Sequence, residues 1–123
     1  MEKQTILIDL KKHRISITRK TLEVIGNPKH ILLLVNPEDR TIAVSPTDSS
    51  DKRAHRVPIL PLGAVRKREV ELYSKLFAQS IMSIADNWKD NTSFKIRGAF
   101  VESENLLRFY IKEAEFCKRG NKC

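Results

Sequence analysis

A chain of 123 residues, 41% of them hydrophobic, is long enough to bury a core without staples and short enough for one domain or two very small ones. No window approaches the roughly 18 apolar residues of a membrane helix. The opening MEKQTILIDLKKHR lacks the long apolar core of a signal peptide, so the expectation is a cytoplasmic protein with no membrane partner. The formal charge of +8 is unevenly spread: residues 1–50 carry +2, residues 51–70 carry +4 and residues 71–123 carry +2. Half of the excess in one short segment is the footprint of a polyanion partner.

Thr5 to Leu10 sets Ile6, Ile8 and Leu10 against Leu7 and Asp9 and reads as a strand. Lys11, Lys12 and His13 make a tight charged connection, which would bring Lys11, Lys12 and Arg14 together on an exposed end. Arg14 to Pro46 then reads as a strand, a short helix and a β-hairpin. Ile15 and Ile17 alternate with Arg14, Ser16 and Thr18. Thr18 fits an N-cap, since its hydroxyl can accept from a free N–H of the first turn. Leu22 and Ile25 give the helix one apolar face, Gly26 supplies the left-handed residue that ends it, and Pro28 stops it. Ile31 to Val35 is an apolar run too short for a core helix. Asn36-Pro37-Glu38-Asp39 is a turn, and Ile42 and Val44 alternate on the return strand.

After Pro46 the texture changes. Residues 47–51 are small and polar, and Lys52-Arg53-Ala54-His55-Arg56 is a short basic run. Val57 to Gly63 holds two prolines and a glycine and fits an extended edge segment. Arg66-Lys67-Arg68 closes it. Residues 51–67 are therefore the candidate linker or loop between a unit at 1–50 and a unit at 68–123, and the two units can equally share one domain. From Arg68 the helical period takes over: Tyr73, Phe77, Ile81, Ile84 and Trp88, widened by Leu72, Leu76 and Ala85, predict a long amphipathic helix over 68–88. Its stripe reads as core, and Glu69 and Glu71 suit its first turn. Residues 93–116 read as a second hairpin turning at Glu102–Asn105, with Gly98 marking a bulge or a close approach by a large neighbour. The expected fold class is α+β: two β-hairpins in antiparallel sheet, with one long and one short helix.

The segment RISITRKTLEVIG, followed by an extended run, a turn and RTIAVSP, resembles the swapped-hairpin DNA-binding domain of AbrB-like and MazE-like transcription factors. Arg14, Ile15, Ile17, Arg19, Lys20, Ile25 and Gly26 sit at matching places. Thr18 stands where that family has proline, and Asn27-Pro28-Lys29-His30 replaces its Gly-Asp. The likeness covers about the first 46 residues. It implies a homodimer with interleaved strands and a DNA surface near Arg14, Arg19 and Lys20.

No phosphate-cradling glycine loop, metal-pair histidine spacing or nucleophile elbow is present. His13, His30 and His55 read as surface residues. Asp86 and Asp90 solvate a helix end, and the aromatic residues fall mostly in apolar periodic positions, against base stacking. Cys117 and Cys123 are expected as free thiols. Neither an enzyme nor a cofactor or metal site is indicated. The reading is a homodimeric, DNA-binding transcriptional regulator that engages double-stranded DNA through Lys11, Lys12, Arg14, Arg19, Lys20, Lys52, Arg53, Arg56, Arg66, Lys67 and Arg68. The alternative is a protein- or ligand-binding module with no nucleic-acid role.

Overall fold

The computed structural model describes residues 4–58, 69–85 and 92–117. Their elements are β1 (Gln4–Asp9), β2 (Arg14–Thr18), α1 (Arg19–Val24), β3 (His30–Asn36), β4 (Thr41–Thr47), β5 (His55–Arg56), β6 (Glu69–Tyr73), α2 (Lys75–Ile84), β7 (Ser93–Val101), β8 (Leu106–Tyr110) and β9 (Glu115–Phe116).

All nine strands join one antiparallel sheet in the order β5-β3-β4-β8-β7-β1-β2-β6, with β9 paired to the start of β7. The sheet curls into a nearly closed barrel. Register follows the period-2 pattern. Ile6 faces Ile17 and Ile96, Ile8 faces Ile15 and Phe94, and Val70 and Leu72 sit opposite Ile17 and Ile15. One face therefore collects nearly every apolar residue, because side chains two apart on a strand share a side. Ile8, Ile15, Ile17, Ile31, Ile42, Val44, Ile96, Leu107 and Phe109 are fully sealed from solvent.

Helix α2 leaves β6, one edge of the sheet, and packs against β3, beside the other edge. Its buried residues Phe77, Ala78, Ile81 and Ile84 fall at the i, i+1, i+4 and i+7 positions of one helix face, so the helix covers the seam that the strands leave open. Ser74 caps it, accepting from the Phe77 N–H at 3.1 Å. Helix α1 is capped in the same way by Thr18, which accepts from the Thr21 N–H at 3.1 Å, and Gly26 closes it at φ +90°. The Asn36 side chain accepts from the N–H groups of Glu38 and Asp39 and so builds the β3–β4 turn from local chemistry.

Four expectations are corrected. The fold is predominantly β, a barrel-like sheet, not an α+β pair of hairpins beside a long helix. The supposed helix over 68–88 is strand β6 followed by the shorter α2. Glu69, Glu71 and Tyr73 project from a strand, where alternate residues are exposed and Val70 and Leu72 are buried. The AbrB-like assignment conflicts with this architecture, for the strands of the first 46 residues complete their sheet with β6, β7 and β8 of the same chain. Strands from residues 4–47 and 69–116 alternate in that one sheet through the β4–β8, β1–β7 and β2–β6 pairings. Finally, Cys117 is disulfide-bonded, against the free-thiol expectation.

Gly98 has a steric reason. A Cβ built there would run into the backbone carbonyl oxygen of Arg108 and lie 2.6 Å from Phe109 Cδ1. β7 is long, pairing β9 near its start and β8 near its end. The glycine sits where β8 comes closest, which is the close approach expected of a glycine inside a strand.

Candidate nucleic-acid interface

Because every neighbouring pair of strands is antiparallel, the connections sort onto two ends of the sheet. The β1–β2 turn, the β3–β4 turn, the β6–α2 corner and the start of β7 share one end, here called the upper. The lower end holds α1, the segment leading into β3, the β4–β5 loop and β5.

This geometry splits the candidate cations. Lys11, Lys12 and Arg14 lie at the upper end of the β1–β2 hairpin, whereas Arg19 and Lys20 open α1 at the lower end of β2. Five residue steps from Arg14 to Arg19, about 16 Å at 3.3 Å each, separate the two groups. Lys52, Arg53 and Arg56 join Arg19 and Lys20 below, and so does Lys29, which sequence reasoning had passed over. Lys29 is placed there by the Val57 N–H, which donates to its carbonyl at 2.8 Å, and by His30 pairing with Arg56. Only the position of Lys29 just before an apolar strand hinted at this. Arg66, Lys67 and Arg68 lie outside the described residues, as do Asp86, Trp88, Asp90 and Cys123.

Among the lower cations, Arg53 is held by a carboxylate of its own loop. Arg53 donates to both oxygens of Asp51, at 3.3 Å each. That guanidinium and the Arg53 backbone N–H hold the Asp51 carboxyl below its usual range. Asp48 is likewise held low, by hydrogen bonds from the Ser50 hydroxyl and backbone N–H. Both acids therefore stay charged and offset part of the basic loop. Lys20, Lys29, Lys52 and Arg56 are exposed, and Arg19 is half-buried on the capped first turn of α1.

Arg14 is engaged with its own strand pair. Its side chain is 28% exposed and forms an ion pair with Asp9 at 3.4 Å, the two residues facing each other across β1 and β2. Its Nε is buried without a hydrogen-bond partner. A guanidinium so placed is held by the fold, because removing its carboxylate would leave a desolvated charge.

His55 sits beside the buried Ile31 on β3, and burial pushes its pKa below 6.5. Among the described residues no group of three His, Cys, Asp or Glu side chains is arranged to hold a metal ion, and no helix is long and apolar enough to cross a membrane. No family model, curated protein or solved structure matches the chain.

Proposed function

We propose that this protein binds double-stranded DNA, without catalysing a reaction, through the lower end of its sheet. The observation that carries the reading is that strand direction puts Arg19 and Lys20 on the same end of the sheet as Lys29, Lys52 and Arg56, with Lys29 and Arg56 brought side by side by the β3–β5 pairing. Phosphates are the partners that such a cluster selects, and their neutralisation releases counterions. Arg19 and Lys20 carry the largest share, since they stand on a capped helix turn. Lys52 stands on a loop that must lose conformational freedom on binding. Arg14 is left out of the surface because Asp9 already holds it.

The test is a mobility-shift titration of a duplex at about 50 and 200 mM salt. Wild type should lose affinity steeply between the two. Arg19→Ala with Lys20→Ala should weaken binding more than Lys52→Ala with Arg53→Ala, and should lower the salt slope by roughly 0.9 per lost contact. No binding at the lower salt, or equal binding by all three proteins, refutes the proposal.

A further inference from the structure

Of the four exposed aromatic residues among those described, Tyr73, Tyr110 and Phe116 stand at the upper end of the sheet, and Phe100 alone belongs to the lower. Tyr73 is the most exposed of them at 63%, and Leu76, three residues on in the first turn of α2, is 76% exposed. This is the reverse of the sequence pattern, which assigns Tyr73 to a buried helical stripe. The ring stands on the edge strand β6, opposite Arg14 of β2, and its hydroxyl lies 3.4 Å from the Glu71 carboxylate.

The β1–β2 turn is fastened to this corner. The Ser74 N–H donates to the His13 carbonyl at 2.9 Å, and the Lys12 N–H donates to Asp9 Oδ1 at 3.2 Å. The turn that carries Lys11 and Lys12 thereby lies beside the corner that carries Tyr73, Lys75 and Leu76, and all five residues are exposed. With Arg14, the corner holds four cations against the two carboxylates Asp9 and Glu71, and Asp9 is already paired with Arg14.

An uncovered aromatic ring among lysines fits a ligand that offers flat apolar rings and anionic groups in alternation. A duplex hides its rings inside the stack, and a lipid surface offers charge without rings. We propose that the β1–β2 turn and the β6–α2 corner together bind single-stranded nucleic acid, with a base stacked on Tyr73 and backbone phosphates near Lys11, Lys12 and Lys75. Stacking of this kind tolerates any base, because every base has a π-face, while the lysines make binding salt-dependent. The surface is distinct from the lower end and does not rest on duplex binding there.

Fluorescence anisotropy with a labelled oligothymidine of about 12 nucleotides, inside the usual site size, tests the proposal at low salt. Tyr73→Ala should weaken binding about 5- to 150-fold, and Tyr73→Phe, which keeps the ring, should stay close to wild type. Lys11→Gln, Lys12→Gln and Lys75→Gln combined should weaken binding and flatten its salt dependence. Tyr73 is exposed, so an unchanged thermal melt of Tyr73→Ala separates a lost contact from a lost fold. Arg19→Ala with Lys20→Ala should leave single-strand binding intact even if it abolishes duplex binding, and single-strand binding with no duplex binding would sink only the lower-end reading. The proposal is overturned if Tyr73→Ala binds like wild type, or if wild type ignores the oligonucleotide. Equal binding of poly-glutamate, or Tyr73-dependent binding of phosphatidylserine vesicles without oligonucleotide binding, also overturns it, in favour of an acidic-protein or a lipid surface respectively.

Discussion

Substituting Gly98 by alanine adds one methyl group at the tightest point between β7 and β8. That methyl would overlap the Arg108 carbonyl oxygen and come within 2.6 Å of Phe109 Cδ1 and 2.9 Å of the Arg108 carbonyl carbon. Overpacking costs about 1–3 kcal/mol where side chains can yield. Here two of the three nearest atoms, the nearest included, are backbone, and β8 is held on its far side by the β4 ladder from Thr41 to Val44. Phe109 is fully buried and has nowhere to turn. The expected loss is therefore about 3–4 kcal/mol, at the upper end of that range and beyond. At roughly 3–5 °C per kcal/mol for a chain of this size, Tm should drop by about 10–20 °C. Urea unfolding followed by far-UV circular dichroism reads the change as a lower midpoint with an unchanged m. The double variant Gly98→Ala with Phe109→Leu makes the test sharper. It relieves the ring contact but not the backbone one, so it should recover no stability beyond its own core loss. A Gly98→Ala protein within about 0.5 kcal/mol of wild type would refute the close approach of β8.

Two other perturbations probe different physics. Gly26→Ala places a Cβ in open space, with nothing within 4 Å, but at φ +90°. The cost is then conformational, about 1–2 kcal/mol, and a Gly26→Asn variant should lose less in the same melt because asparagine tolerates positive φ better. His55 has its pKa lowered by burial, so the folded chain binds its proton less readily than the unfolded chain does. Stability should be full above about pH 6.5 and fall as acid protonates the unfolded state first. His55→Gln should flatten that fall between pH 7 and pH 5, and an identical pH profile would show that the imidazole is not desolvated.

Where local chemistry decides the backbone, the sequence determined it. Thr18, Gly26, Asn36 and the alternation of Ile15 with Ile17 place β2, α1, β3 and β4, because a cap, a positive φ or a turn is settled by residues within four positions. The hairpin of β7 and β8 and its turn at Glu102–Asn105 are legible for the same reason. Tyr73 marks where that reach ends. Its spacing to Phe77 and Ile81 satisfies a helix, while Val70 and Leu72 satisfy a strand, and only the ladder with β2 decides between them. That ladder joins residues more than fifty positions apart, and its free energy comes from cross-strand burial that no local window contains. Tertiary structure also decided the candidate sites. Arg14 and Arg19 are near neighbours in the chain, yet β2 carries them to opposite ends of the sheet. Lys29 and Arg56 are distant in the chain, and the β3–β5 pairing brings them together, since strand direction and register, not sequence spacing, set which charges share a surface.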